Sequence, residues 1–340
     1  MKALVTGATG FVGFHVAKAL QEKGVEVRAL VRASSDTSDL APLGVELVTG
    51  DIRDYDSVRR ALQGCGELYH VAADYRLWVP DPEAMYETNV QGTVNVMQAA
   101  LEAGTGKVVY TSSAGTLVPK RSRGKCNEET PVCLSDMVGH YKRSKFLAER
   151  HVYEFISRGL PIVIVNPTTP IGPMDRKPTP TGKVIVDFLS GRMPAFIDTG
   201  LNFVDVEEVG LGHWLASQYG KSGEHYILGN RNMSLGEFLA ILGRIGERKP
   251  PRVKLPYVPV LLAAYVDEAV STWIRHTQPT IPLTGVKMAK SYMYFDCSKA
   301  VHSLGVPQMP VERAMQKSID WYLERGYVRN RPSSGGRHVC

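Results

Sequence analysis

The stretch Thr6-Gly7-Ala8-Thr9-Gly10-Phe11-Val12-Gly13 decides the fold. Before it runs a short apolar segment, Lys2 to Thr6. After it, Phe11 to Leu20 carries apolar residues at helical spacing and is closed by Gly24. The glycines allow a tight turn and let backbone approach a pyrophosphate. The helix that follows aims its free N–H groups and positive dipole end at the same place. A Gly-rich turn alone says little. Placed between a strand and a helix, it reads as a dinucleotide-binding fingerprint, with Gly7, Thr9, Gly10, Phe11, Val12 and Gly13 around the phosphates.

Outward from this turn the same alternation repeats. Strands are expected at 25–31, 45–49, 68–72, 107–111 and 161–166, with helices at 55–62, 85–103 and 141–158 between them. Six strands alternating with helices predict an α/β fold: a Rossmann doubly wound parallel sheet over residues 1–170. After Pro167 a proline-rich stretch, 167–182, predicts a long loop. Residues 171–328 then mix a strand (224–228), a helix from Ser234 to Ile245 with Ser234 as N-cap, and an amphipathic segment at 309–325. They predict a smaller α/β substrate-binding domain with some segments packing back on the first. The tail 329–340 is expected to be disordered.

With 44% apolar and 22% charged residues, the composition is that of an ordinary soluble globular chain. The net charge of +6 is spread along the sequence, so no nucleic-acid partner is expected. Five cysteines without CxxC spacing point to reduced thiols and no metal site. The longest apolar run, Leu255 to Val266, is too short to span a bilayer. It is expected to form a core helix, with a membrane-surface helix as the alternative. The absence of a signal-like N-terminus suggests a cytoplasmic protein, with peripheral attachment at the inner membrane surface left open.

The second strand ends in Leu30-Val31-Arg32-Ala33-Ser34-Ser35, with no acid before Asp36. A carboxylate here would favour NAD(H) by bonding the ribose 2′-hydroxyl. Arg32 instead suits a 2′-phosphate, so NADP(H) is favoured and NAD(H) stays open. Asp51 either contacts the adenosine or caps a helix. His70 is expected to be a core histidine satisfied by backbone.

Tyr141-Lys142-Arg143-Ser144-Lys145 places Tyr141 and Lys145 on one helix face. It comes one segment after a strand ending in Thr111-Ser112-Ser113. The expected roles are proton exchange by Tyr141, with its pKa lowered by Lys145, and stabilisation of the reacting oxygen by Ser113.

These strings, with Ala72-Ala73-Asp74-Tyr75-Arg76-Leu77-Trp78 and Gly139-His140-Tyr141-Lys142-Arg143-Ser144-Lys145, resemble the extended short-chain dehydrogenase/reductases. Within them the chain is similar to the dihydroflavonol-reductase-like group and to the hopanoid-associated sugar epimerases of the NAD-dependent epimerase/dehydratases. The resemblance implies a Ser113, Tyr141 and Lys145 triad, and cofactor contacts from Gly7, Gly10, Phe11, Val12, Asp51, Ile52, Ala72, Ala73 and Pro167. It also implies a homodimer through the helices that begin near Met85 and Tyr141. Val118 stands where plant dihydroflavonol reductases carry an Asn, so flavonoid specificity does not follow. Leu117-Val118-Pro119 likewise departs from the Val-Tyr-Gly of nucleotide-sugar epimerases.

Three functions are therefore carried: NADPH-dependent reduction of a carbonyl, a sugar epimerase or dehydratase linked to hopanoid biosynthesis, and a non-catalytic NADP(H)-binding module. The substrate is a small molecule, lipid-linked or sugar-like. Candidate contacts are Asp74, Tyr75, Arg76, Trp78, Thr168 and Arg192. Lys120, Arg121, Arg123 and Lys125 form a basic loop expected to be solvated surface.

Overall fold

A computed structural model of the chain describes residues 2–119 and 124–328. The first lobe runs β1 (Lys2–Thr6), α1 (Phe11–Glu22), β2 (Glu26–Val31), β3 (Glu46–Thr49), α2 (Tyr55–Leu62), β4 (Glu67–His70), α3 (Pro82–Tyr86), α4 (Gly92–Glu102), β5 (Lys107–Thr111), α5 (Gly139–Ser157) and β6 (Ile162–Pro167). There follow β7 (Thr169–Ile171), α6 (Pro180–Leu189), β8 (Ala195–Ile197), β9 (Gly200–Asp205), α7 (Val206–Tyr219), β10 (His225–Leu228), β11 (Arg231–Ser234) and α8 (Leu235–Ile245). The chain ends with β12 (Val253–Leu255), α9 (Tyr257–Val270), α10 (Leu283–Met288), α11 (Ser298–Leu304) and α12 (Val311–Glu324).

Seven strands pair in the order β10-β6-β5-β4-β1-β2-β3, every neighbour parallel. The central strands are apolar on both sides, as a sheet covered by two helix layers requires. Val5, Tyr69, Val109 and Val165 face one layer with Val16, Leu20 and Val209 of α1 and α7. Leu4, Leu68, Val108 and Ile164 face the other, with Val58, Val96 and Val152 of α2, α4 and α5. Strand order reverses between β1 and β4, which opens a crevice above their carboxyl ends.

The C-terminal part is interleaved with this lobe. β10 adds the seventh strand beside β6, and α7 packs along α1. The remainder builds a second lobe. Here β11, β9 and β7 form one small sheet and β12 pairs with β8. Ile185, Phe188, Phe238, Leu242, Met315 and Tyr322 make its core.

Three expectations change. The helix at 85–103 is split by a π-helical turn, Glu87–Gln91, which re-aims Asn89. The proline-rich stretch contains β7 and the start of α6. Thr179 caps α6 through the Gly182 amide, and Pro180 sits in the first turn, where its missing N–H is harmless.

The third change concerns the apolar run expected to be a core helix. In α9 only Ala264 is buried, while Val258, Leu262 and Val266 are 63%, 61% and 65% exposed. Tyr257, Val260, Leu261 and Ala264 pack on Leu283 and Val286 of α10, and the opposite face, equally apolar, meets solvent. A continuous apolar run does not reveal that only one of its faces finds a partner. Ser234 does cap α8, in a reciprocal pair with Glu237. Lys120, Arg121, Arg123 and the tail from Arg329 lie outside the described residues.

Candidate active site

One cleft of about 1690 Å³ runs from the Gly-rich turn across the carboxyl ends of the strands to the second lobe. Gly7, Thr9, Gly10, Phe11, Val12 and Gly13 line its first end. Gly7 has φ of 77°, and a Cβ on it would stand 2.7 Å from the Ala72 nitrogen. A Cβ on Gly13 would stand 2.0 Å from the Gly7 carbonyl oxygen. These positions admit only glycine, and the turn therefore presses directly against the exit of β4. No side chain caps α1 at Gly10, and its first turn carries no acid. The positive end of the helix is left open to the cleft, which fits the pyrophosphate of a dinucleotide.

At the ribose end Arg32, Ser34, Ser35 and Asp36 line the wall. Arg32 is exposed and forms no ion pair among the described residues. Asp36 is not free to accept a ribose hydroxyl in the same way. Its carboxylate accepts from the Ser38 amide and pairs with Arg176, contacts that hold it below the usual carboxylate range. Asp51 also lines the cleft, and its two oxygens accept from Arg53 at 3.1 and 2.9 Å. The cap of α2 is Asp54, so helix capping is not the role of Asp51. Ile52, Ala72, Ala73 and Pro167 complete this wall. His70 is buried between Thr6 Oγ1 at 2.8 Å and Thr93 Oγ1 at 3.0 Å, satisfied by side chains and not by backbone.

Ser113, Tyr141 and Lys145 meet in the middle of the cleft. β5 delivers Ser113 at its carboxyl end, and α5 presents Tyr141 and Lys145 one turn apart. Ser113 Oγ accepts from the Gly115 amide at 3.1 Å. Lys145 is 2% exposed; its Nζ donates to the Thr111 carbonyl at 2.7 Å and lies 4.4 Å from the Tyr110 ring centre. Burial lowers the Lys145 ammonium to about 7, opposed by Glu149. Burial raises the Tyr141 hydroxyl above the ordinary phenol value, opposed by Ser113. Lys145 was expected to lower the phenol; in the protein itself desolvation outweighs it, and Ser113 is the neighbour that pulls the other way.

Of the expected substrate contacts, Asp74, Tyr75, Arg76 and Thr168 line the cleft. Asp74 and Arg76 pair with each other. Trp78 and Arg192 do not reach it. Arg192 is exposed and bonded to Asp187 at 2.7 Å across the end of α6.

Two residues escaped the sequence reading. Lys142 lines the cleft at 6% exposure, with Met293 Sδ 3.6 Å from its Nζ, and burial lowers it to about 8. Its partner Met293 lies some 150 residues away, so no local pattern announces the contact. Asn89 sits in the π turn at 1% exposure. It accepts from the Asp74 amide at 2.7 Å and donates to the Asp74 carbonyl and Ser144 Oγ at 2.8 and 2.9 Å. It thereby ties the loop after β4 to α5. Its signal was available: a polar residue four positions from Met85 on a buried helical stripe. The far wall is apolar, with Leu201, Phe203, Phe238, Met293, Phe295 and Trp321.

Comparison with known proteins agrees with this fold. The model of the NAD dependent epimerase/dehydratase family matches residues 3–229. A putative dihydroflavonol 4-reductase of Synechocystis sp. is 44% identical, over 96% of this chain and 95% of its own. Sterol demethylase protein B of Methylococcus capsulatus is 34% identical, over 96% and 100%. The crystal structure of gox2253 superimposes with a TM-score of 0.86 at 46% identity, over 96% of this chain and 99% of its own. The chain belongs to the NAD-dependent epimerase/dehydratase family of extended short-chain dehydrogenase/reductases, and it is an enzyme of that family.

Proposed function

We propose that the enzyme reduces a carbonyl on an apolar substrate with NADPH, using Ser113, Tyr141 and Lys145. The observation that carries this reading is the convergence of Ser113, Tyr141 and Lys145 in one cleft with the Gly-rich cradle and an apolar wall. When bound, the nicotinamide supplies the hydride. Tyr141, kept protonated by its raised pKa, donates its proton to the carbonyl oxygen. Ser113 donates a hydrogen bond to that oxygen as charge develops. Lys145, anchored on the Thr111 carbonyl, lies beside them and would reach the nicotinamide ribose.

Arg32 supports the 2′-phosphate form of the cofactor, because it stands at the ribose end with no acid paired to it while Asp36 is engaged by Arg176. The wall of Leu201, Phe203, Met293 and Phe295 supports a substrate with an apolar body. The name of the Synechocystis relative, a reductase, agrees.

The test is the nucleotide itself. The purified protein is denatured and any released nucleotide identified by mass, and the emptied site is titrated with NADPH and NADH. Tighter NADPH binding to an exchangeable site is expected. Stoichiometric NAD⁺ retained through purification would overturn the reductase reading in favour of an epimerase that oxidises and re-reduces within one turnover.

A further inference from the structure

α9 carries a second apolar face that none of the described residues covers. Val258, Leu262, Tyr265, Val266 and Ala269 recur at helical spacing on its outer side. The stripe runs on through a π-helical turn to Trp273 and Ile274, which are 80% and 73% exposed. Not one of these residues is charged. An apolar surface of this length marks an interaction site.

Its surroundings say which kind. Arg252 and Lys254 stand exposed before the helix, and Arg275 and His276 after it. Lys287 and Lys290 lie exposed on and just after α10, and the Lys287 Nζ sits 5.0 Å from the Tyr265 ring centre. The acids of α9 are turned away: Asp267 accepts from the Ile281 amide at 2.7 Å and Glu268 from the Leu283 amide at 3.2 Å. Asp198 lies 3.5 Å from Lys254 and offsets that one cation in part. A second copy of the chain packed on this face about a two-fold axis would bring its cationic rim towards the same rim, with the α9 acids already spent. An apolar stripe edged by Trp, Tyr and cations instead matches the headgroup region of a negatively charged bilayer.

We propose that α9 and the turn after it dock the enzyme on an anionic lipid surface. The helix lies in the interface and does not cross it; among the described residues no helix is long and apolar enough to do so. α10 stands between α9 and the cleft. Leu283 and Val286 of α10 hold α9 from one side, and Gly285 and Met288 of the same helix line the cleft. The docking does not depend on which reaction the cleft performs.

The full-length enzyme is sedimented with vesicles of phosphatidylcholine alone and of phosphatidylcholine with phosphatidylglycerol. Binding to the phosphatidylglycerol vesicles is expected, weakened by salt and accompanied by a blue shift of tryptophan emission that Trp273→Phe abolishes. Val266→Glu with Trp273→Glu should lower vesicle affinity about tenfold or more, and so, more mildly, should Leu262→Ser. NADPH binding by both variants reports that the fold is intact and is independent of the vesicle result. No binding to anionic vesicles at low salt would overturn the proposal, as would equal binding by the charged variant. Conversion of a dimer to a monomer by that variant in light scattering would assign the face to a second copy instead.

Discussion

Lys145 and Glu149 sit one turn apart on α5, both buried, and each draws the other's proton equilibrium back towards its charged form. Burial alone would push the ammonium down and the carboxylate up. Glu149 also accepts from Ser112 Oγ at 2.5 Å, the residue next to Ser113, so the pair lies directly behind the reacting centre.

The consequence is a pH effect of known sign. Glu149 is the attraction that opposes desolvation of Lys145, so without it Lys145 loses its proton at lower pH. If the ammonium form of Lys145 supports turnover, Glu149→Gln should move the alkaline limb of the kcat/KM profile towards lower pH by about one unit. NADPH binding at pH 6 should be little changed. A limb that stays in place would show that the charge on Lys145 does not set it.

Removing the proton donor should separate binding from chemistry. Tyr141→Phe keeps the ring and loses the hydroxyl, and the rate should fall about 10²–10⁴-fold while the Kd for NADPH holds. Ser113→Ala removes the second contact to the same oxygen, and a fall of about 10²–10³-fold in kcat is expected. Single-turnover reduction with a carbonyl substrate measures both. Near-normal rates in Tyr141→Phe would place the proton transfer elsewhere.

Much of this site was legible because its signals are local. Gly7, Gly10 and Gly13 are fixed by backbone geometry within one turn, and Tyr141 and Lys145 by helical spacing. The parallel sheet followed from alternating apolar runs. What stayed hidden depends on distant chain. Lys142 meets Met293, Arg192 is claimed by Asp187, and Asp36 is occupied by Arg176 from the other lobe. β10 joins the first sheet from residue 225 because β6 offers an unpaired edge there, which no pattern within 225–228 records. The outer face of α9 was misread for the same reason, since hydropathy says what a residue prefers and not whether a partner exists.

Arg32 gives a sharp test of cofactor choice. It is exposed at the ribose end of the cleft, and charge-assisted bonds to a phosphate contribute roughly 1.5–3 kcal/mol each. Arg32→Glu should therefore raise the Kd for NADPH about tenfold to a hundredfold and leave that for NADH unchanged or lower, since a carboxylate there can accept from the ribose 2′-hydroxyl. Fluorescence titration of both nucleotides reads the ratio directly. An unchanged NADPH affinity would show that Arg32 does not meet the 2′-phosphate.

Lys142 carries the last prediction. Its Nζ is buried with a methionine sulfur as its hydrogen-bond neighbour, and desolvation lowers its pKa from 10.5 to about 8. The unfolded chain then binds the proton more tightly than the folded one. Between about pH 8 and 10.5 the folded protein has shed a proton that the unfolded chain keeps, so this group makes stability rise with pH. Below pH 8 both states are charged, and the folded state bears the full penalty, roughly 3 kcal/mol at most. Lys142→Met fills the same space without charge. It should raise the urea midpoint at pH 7 and flatten the rise in stability between pH 8 and 10, with Lys145 contributing equally to both proteins. A gain of the same size at pH 7 and pH 10 would mean that better packing, and not removal of a buried charge, stabilises the variant.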